Sequence, residues 1–499
     1  MRRLHSPQEA AQWLRTQVRG SLHTDSRRVR AGDGFIAWPG GVSDGRQFVA
    51  SALTQGASAC LVEHAGAEAF DWSAHTDAVA SYDGLKAASG PIAAAYYEQP
   101  SHALDVVAIT GTNGKTSSSW WLAHALRHVG QRCAIVGTLG VGEVDQLEVT
   151  GMTTPDPVLL QARLRAMVNQ GVQACAVEAS SIGLAEHRMD GTQVRVAAFT
   201  NFTQDHLDYH GDMASYWRAK SALFDWPGLK AAVINVDDTH GAALADQLAA
   251  RGDVAVWTVS CQSQAAAACH VQAQHITHTQ HGLRFDVVEG AERHHLDTSL
   301  VGHYNVSNVL GVIACLRALG HSLQDTVQAC AALPAVPGRM EVVGSAADEP
   351  LVVVDYAHTP DAVTHAVQAL LPLAQSRGGA VTCVLGCGGD RDASKRALMA
   401  GAAERHAQHV VLTSDNPRSE DPQHILNQML AGLALPNAAQ VMVDRAQAIA
   451  HAVAQASIHD VVLIAGKGHE DYQEIAGVKY PFSDVAQARH ALQQRRADV

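Results

Sequence analysis

Residues 105–116 read DVVAITGTNGKT. The β-branched run Val106 to Ile109 predicts a buried strand, which delivers a loop with two glycines, Gly111 and Gly114. Lys115 and Thr116 follow, at the start of a segment patterned as helix. Strand, glycine loop, lysine, hydroxyl and helix N-terminus together make a phosphate cradle. Backbone N–H groups point inward, the lysine reaches the outer phosphates, and the threonine hydroxyl is placed for Mg2+. A strict P-loop has glycine five positions before Gly114, where this chain has Ile109. The loop is therefore a variant of the form Thr110-Gly111-Thr112-Asn113-Gly114-Lys115-Thr116. It points to a nucleoside triphosphate rather than to a plain glycine turn.

Working outward, residues from about 100 to 335 alternate strand and helix. Strands are expected at 105–110, 134–139, 174–179, 196–202 and 231–236, and helices at 116–129, 157–171, 213–224, 240–251 and 304–319. This is the rhythm of a parallel sheet covered on both faces. Residues 254–300 read instead as short alternating strands, an antiparallel edge of that domain. A boundary falls near Leu333-Pro334-Ala335-Val336-Pro337-Gly338, and the rhythm then restarts with strands at 351–356, 380–386, 409–413, 440–443 and 460–465. The N-terminal piece is turn-heavy, with apolar runs at Gly34–Trp38 and Ala59–Val62. The expected fold class is α/β in three domains: a small N-terminal α/β domain (1–95), a central P-loop-like ATPase domain with a mainly parallel sheet (96–335), and a C-terminal Rossmann-like doubly wound domain (336–499).

Length and charge agree. A chain of 499 residues exceeds the roughly 250–300 at which single cores stop growing. A net charge of −13 argues against nucleic acid or an anionic membrane as the main partner. The start, MRRLHSPQEAAQWL, lacks the apolar core of a signal peptide, and no run approaches 18 apolar residues. The nine cysteines are scattered, and the Cys383/Cys387 spacing reads as strand packing, so a reduced cytoplasm is the expected location. His275, His278, His281, His294 and His295 read as solvated surface.

Glu178 ends the apolar strand CAVE, where a carboxylate beside a phosphate loop commonly supports Mg2+. His206, in FTNFTQDHLDYHGD after the next strand, is a second candidate on the metal side. In the third segment four loops follow strands: VDYAHTPD (Asp355, His358, Asp361), CGGDRD, SDNPRSEDP and AGKGHEDYQ (Lys467, His469, Glu470). Open α/β sheets bind ligands at such carboxyl ends. The four loops together offer both charge signs, which suits a zwitterion such as an amino acid.

GTNGKT, EASS, TNFTQDHLDYHG, GHYNVSN, PGRM, VDYAHTP and GKGHE together resemble the Mur ligases, ATP-dependent amide-forming enzymes that build the peptidoglycan stem peptide. The resemblance spans nearly the whole chain. It implies that Ser26 and the loop Gly41-Val42-Ser43 meet a uridine diphosphate, and that Thr153, Thr154, Ser180 and Arg188 contact a muramoyl dipeptide. It implies ATP on residues 110–116, with Asn305, Arg339 and Asp355 at its adenine, phosphates and ribose. It singles out Lys220, otherwise an ordinary helix lysine, as a carbamylated residue (N6-carboxylysine) that joins Thr116, Glu178 and His206 around Mg2+. Lys115, Lys220, Glu178 and His206 are then the catalytic set. Arg391, Asp415, Asn416, Pro417, Arg418, Gly466 and Glu470 match a diaminopimelate pocket. One departure stands out: the family often has Gln where this chain has Glu186.

The implied reaction adds meso-2,6-diaminopimelate to the D-glutamyl γ-carboxylate of UDP-N-acetylmuramoyl-L-alanyl-D-glutamate through an acyl phosphate and a tetrahedral intermediate, in a cytoplasmic monomer. Arg418 is expected to grip the acceptor's far carboxylate in bidentate fashion and to repel the ammonium of lysine. The alternatives are a lysine-adding or other Mur ligase, a folylpolyglutamate synthetase, and a nucleotide-binding regulatory protein without catalysis.

Overall fold

The computed structural model describes residues 1–41, 43–262, 269–279, 282–344 and 348–497. The chain forms two compact units: Met1–Gln272 with Asn308–Ala329, and Ala273–Ser307 with Cys330–Val499.

The first unit holds two sheets. β1 (Arg2–Leu4), β2 (Leu22–His23), β3 (Gly34–Ala37), β4 (Ala59–Glu63) and β5 (Val79–Tyr82) form a parallel sheet in the order β1-β5-β4-β3-β2. The strand period of two splits β4 between two cores. Ala59 and Leu61 face one that includes Ala10 and Leu14 of helix Pro7–Gln17, while Cys60 and Val62 face another with Val49 and Ala52 of helix Val49–Thr54.

β6 (Asp105–Thr110), β7 (Cys133–Gly137), β8 (Gly140–Glu143), β9 (Ala174–Glu178), β10 (Val196–Phe199), β11 (Ala231–Asn235) and β12 (Ala255–Ser260) form the central sheet in the order β12-β11-β10-β6-β9-β7-β8. All neighbours are parallel except β7 and β8. β6 lies in the middle, so the phosphate loop leaves the sheet between β9 and β10. The run expected as an antiparallel edge divides. β12 and the start of β13 (Val271–Thr279) pair in parallel, at Val259–Val271 and Ser260–Gln272.

In the second unit β14 (Gly282–Glu289) and β15 (Glu292–Thr298) form an antiparallel hairpin. β16 (Glu341–Val342), β17 (Leu351–Asp355), β18 (Val381–Cys387), β19 (His409–Ser414), β20 (Gln440–Met442) and β21 (Val461–Ala465) form a sheet in the order β16-β17-β21-β18-β19-β20, parallel apart from β16. Val353 and Leu463 face one core, Val352, Val354 and Ile464 the other, so both faces are covered as in a doubly wound fold. A second hairpin, β22 (Tyr472–Ile475) with β23 (Val478–Pro481), follows the last of these strands.

The strand expected over 196–202 stops at Phe199: Thr200 N still donates to Thr110 O at the end of β6 (3.0 Å), but the side chain of Thr200 and the backbone of Asn201 turn to the phosphate loop. Thr200 Oγ1 donates to Asn113 O (2.6 Å) and Thr112 N donates to Asn201 O (2.8 Å). The helix expected over 213–224 ends at Ser221 and tightens into a 3-10 turn, Ala222–Asp225. Among the described residues none of the nine cysteines forms a disulfide.

Candidate active site

The phosphate loop is shaped by two glycines that nothing else can replace. Gly111 has φ +145° and Gly114 φ +85°; a Cβ would lie 1.9 Å from Thr200 Oγ1 at the first and 2.4 Å from Asn308 Oδ1 at the second. Thr112 Oγ1 donates to Thr203 O (3.0 Å) and lies 3.2 Å from the Tyr216 hydroxyl, and Asn113 N donates to Asn201 Oδ1 (2.9 Å). Lys115 Nζ folds back onto Gly111 O and Thr112 O, both at 2.8 Å. Thr110 Oγ1 is buried without a hydrogen-bond partner among the described residues. The loop is thus held from outside, with a cation at its floor and helix Lys115–His128 directed away from it.

Glu178 is the hub of the site. It ends β9, buried, and accepts from Thr116 Oγ1 (2.9 Å), Thr138 N (2.8 Å) and Thr138 Oγ1 (3.2 Å). Gly137 makes room for it, since a Cβ there would meet Glu178 Oε1 at 2.1 Å. Thr154 Oγ1 donates to the Glu178 carbonyl (2.7 Å) and lies 2.9 Å from Ser180 Oγ. Thr153 Oγ1 lies 3.0 Å from Thr138 Oγ1, and Arg188 Nη1 donates to Thr154 O (3.0 Å). All four residues expected at the muramoyl dipeptide therefore gather round Glu178. The side chain of Ser180 also caps helix Ser181–Ala185.

Lys220 closes the cluster from helix Met213–Ser221. Lys220 is 1% exposed, and its Nζ donates to Gly111 O (2.7 Å) and lies 4.5 Å from the centre of the Tyr216 ring. Burial, and then the charge of Lys115, push its pKa down to about 6. The neutral amine is the form of a lysine that can add CO2. His206 sits farther out, half-exposed, at φ +51°, 3.5 Å from Asp205 and facing Tyr216. Among the described residues no group of three or more His, Cys, Asp or Glu side chains suits a metal. The hard oxygens of Thr116 and Glu178 do fit Mg2+, which keeps waters and phosphate oxygens in its shell.

In the N-terminal sheet, Ser26 lies in a 3-10 turn capped by Asp25, and Ser43 O accepts from Gly40 N (2.9 Å) in an exposed loop that includes Gly41. Val42 lies outside the described residues.

In the second unit, buried Asn305 donates to Val301 O (2.7 Å). Asp355, at the end of β17, accepts from Met340 N (2.8 Å) and Ala357 N (2.9 Å). The Arg339 guanidinium lies over the Tyr356 ring at 4.5 Å, with its Nε buried and unpaired among the described residues. Gly338 presses this turn against the last loop; a Cβ would meet His469 N at 2.0 Å. Beside it the two expected acceptor loops converge. Asn416 Nδ2 donates to Glu470 Oε2 (2.7 Å), and Gly466 admits the Asp415 carboxylate where a Cβ would stand 2.5 Å from Oδ2. Pro417 O packs so closely on Gly389 that a Cβ there would meet it at 1.9 Å. Arg418, at φ +51°, donates through Nη1 to Gly389 O (2.6 Å), and its Nε lies 3.7 Å from the Glu474 carboxylate. Arg391 is exposed on the CGGDRD loop.

Two more residues shape this pocket: Lys467, which the sequence placed on the AGKGHEDYQ loop without a contact of its own, and Glu474, which sequence reasoning left out. Lys467, fully buried, donates to Asn416 Oδ1 (3.0 Å) and Glu470 Oε2 (3.1 Å). Glu474, in the β22–β23 hairpin, donates its N–H to Asn416 Oδ1 (2.9 Å) and accepts Arg418 N at its carbonyl (3.0 Å). A lysine between two glycines directly after an apolar strand is the signal that marks the first. Nothing local marks the second.

A phosphate cradle, a buried carboxylate beside it and a separate doubly wound sheet with a two-signed pocket are the parts of a nucleotide-dependent, acid-activating ligase. Family models agree: "Mur ligase family, catalytic domain" matches residues 21–97, "Mur ligase middle domain" residues 109–316, and "Mur ligase, glutamate ligase domain" residues 338–468. A UDP-N-acetylmuramoyl-L-alanyl-D-glutamate–2,6-diaminopimelate ligase of Acidovorax sp. (strain JS42) is 56% identical over 98% of this chain and 97% of its own length. One of the same name from Janthinobacterium sp. (strain Marseille) is 48% identical, covering 97% and 96%. A solved structure of a ligase of that name matches with a TM-score of 0.68 at 34% identity, over 95% of each chain. The chain belongs to the Mur ligase family and has its three-domain α/β fold. It is an ATP-dependent amide ligase.

Proposed function

We propose that this protein joins meso-2,6-diaminopimelate to the D-glutamyl γ-carboxylate of UDP-N-acetylmuramoyl-L-alanyl-D-glutamate, forming ADP and phosphate. The observation that carries the reading is one cluster at the carboxyl end of the parallel sheet, buried Thr116, Glu178 and Lys220 with half-buried Lys115, ringed by Thr153, Thr154, Ser180 and Arg188. In the first step a γ-carboxylate oxygen attacks the terminal phosphorus of ATP and ADP departs. In the second the acceptor amine attacks the acyl carbon, loses a proton, and the tetrahedral intermediate expels phosphate. Both encounters bring anions together, so the site's work is orientation and charge compensation.

Lys115 and the loop N–H groups bind the phosphates, while Arg188 and Ser180 orient the dipeptide. Thr116, Glu178, His206 and Lys220 as its carbamate would hold Mg2+, which when bound neutralises phosphate and carboxylate charge. Asn305, Arg339 and Asp355 are read as the remaining ATP contacts. Ser26, Gly41, Val42 and Ser43 are read as the uridine contacts, and Arg391, Asp415, Asn416, Pro417, Arg418, Gly466 and Glu470 as the acceptor pocket. The domains are taken as 1–95, 96–335 and 336–499, in a cytoplasmic monomer acting on small molecules; among the described residues no helix is long and apolar enough to cross a membrane.

The test is phosphate release from ATP and Mg2+ with the UDP-muramoyl dipeptide, comparing meso-diaminopimelate with L-lysine. Release that depends on diaminopimelate is expected. Release with lysine alone would overturn the acceptor assignment, and no release with either would overturn the reaction.

A further inference from the structure

Glu186 stands two residues before Arg188 on the rim of the Glu178 cluster, and its carboxylate is not left bare. Lys86 Nζ, from helix Leu85–Tyr96 of the N-terminal sheet, lies 2.6 Å from Glu186 Oε2, and the Tyr209 hydroxyl donates to Oε1. The sequence fixes where Lys86 falls. Gly84 starts the helix at φ +66°, and the Glu63 carboxylate accepts the N–H groups of Gly84 (3.2 Å) and Leu85 (2.7 Å), setting Lys86 in the first turn. Gly90 of the same helix packs on bare backbone: a Cβ would stand 2.1 Å from Asp190 O, and a Cβ on Gly191 would lie 2.8 Å from Gly90. The helix is therefore pressed against the loop that directly follows Arg188.

From Glu186 the contacts run inward without a break. The Tyr209 ring meets His210 edge-on at 4.8 Å, and His210 Nε2 lies 3.0 Å from Ser181 Oγ. The His210 ring is 5.1 Å from Tyr216, over which Lys220 sits. Lys86 first, and the Tyr209 hydroxyl second, hold the Glu186 carboxyl below its ordinary range, so it carries a charge at neutral pH. Unpaired, that charge would face any carboxylate or diphosphate brought to Ser180 and Arg188.

We propose that Lys86 is a specificity-determining residue of the central site: it cancels the charge of Glu186 so that an anionic muramoyl dipeptide can settle against Ser180 and Arg188, while Glu186 orients Tyr209. The inference rests on the reading of the substrate given above. It makes the N-terminal helix part of the dipeptide site as well as of the domain that takes the uridine end.

The experiment is a charge-rescue series in the full-length enzyme, with KM for the UDP-muramoyl dipeptide and for ATP measured in parallel. Lys86→Met is expected to raise the dipeptide KM by about tenfold, within the coupling found between contacting charged residues, with the ATP KM unmoved. Lys86→Met/Glu186→Gln is expected to return it to within about threefold of wild type, because the uncompensated charge is gone. A lysine that served only to pack the helix would not be rescued by deleting a charge. A dipeptide KM unchanged in Lys86→Met, or a double variant no better than the single, overturns the inference while leaving the proposed reaction intact. A wild-type enzyme that turns over no UDP-muramoyl dipeptide overturns both.

Discussion

Asp484→Ala should be the most damaging single change in the second unit away from its loops. Asp484 and Arg445 form a bidentate ion pair, Nε–Oδ1 at 2.7 Å and Nη2–Oδ2 at 2.6 Å, and both side chains are 0% exposed. Removing one partner of such a pair leaves a buried charge uncompensated, at a cost of about 3–5 kcal/mol. For a unit of this size that lowers the midpoint temperature by about 6–20 °C. The control lies in the same unit: Arg284–Asp297 is about half-exposed on both sides, and Asp297→Ala should cost less than about 1 kcal/mol. The eight tryptophans all lie between residues 13 and 257, so fluorescence follows the first unit and far-UV circular dichroism is needed for the second. Arg445 also donates to Ser414 O (3.3 Å) and Ala465 O (3.0 Å), the carbonyls just before Asp415 and Gly466. At temperatures where Asp484→Ala is still folded, the acceptor KM should therefore rise while the ATP KM holds. A loss of stability no greater than that of Asp297→Ala would refute the reasoning.

Three further changes probe the sites directly. Gly111→Ala places a methyl 1.9 Å from Thr200 Oγ1 at a φ that side chains avoid, so calorimetry should show ATP affinity falling by about tenfold or more, with dipeptide affinity retained. The Lys220 ammonium titrates near 6 when folded and at its ordinary 10.5 when unfolded, so the unfolded state binds the extra proton between those values. In CO2-free buffer the stability of the unmodified enzyme should rise with pH across that window, and Lys220→Met should flatten the rise; a fall with pH would contradict it. Arg418→Ala should raise the diaminopimelate KM by about thirtyfold or more, as for a charge contact worth 2–5 kcal/mol, with ATP binding intact; an unchanged acceptor KM would remove Arg418 from specificity.

Much of this was legible in the chain because it is local. The strand–glycine–lysine order at 105–116 dictates a phosphate cradle, and β17 to β21 announce themselves as apolar runs with polar loops behind them. Glu178 could be read because it ends such a run. Lys220 could not: burial selects it from other helix lysines, and that burial is made by Tyr216 and the carbonyl of Gly111, the latter more than a hundred residues away. The strand at 196–202 was overread because Thr200 and Asn201 look like strand residues until the loop they support is present. Glu186 was legible only as an oddity, since the lysine that completes it comes from helix Leu85–Tyr96, a hundred residues earlier.

The chain carries a net charge of −13, yet its proposed substrates are mostly anions, so the cations must be placed rather than accumulated. The acceptor pocket illustrates how. Lys467 is buried against Asn416 and Glu470, with Asp415 at 3.7 Å, so one cation faces two carboxylates and that corner is left net negative. Arg418 is held at φ +51° by two backbone hydrogen bonds to the β22–β23 hairpin, Arg418 N to Glu474 O and Ala476 N to Arg418 O. Left-handed backbone at a non-glycine residue costs on the order of 1–3 kcal/mol and persists only where its surroundings enforce it. The enforcement directs a guanidinium toward Gly389 O, on the CGGDRD loop that also carries Arg391. A carboxylate-rich corner and, on the neighbouring loop, a guanidinium only partly balanced by Glu474 at 3.7 Å suit the proposed acceptor, whose far end bears an ammonium and a carboxylate on the same carbon. Lysine, with the ammonium alone, satisfies only the first.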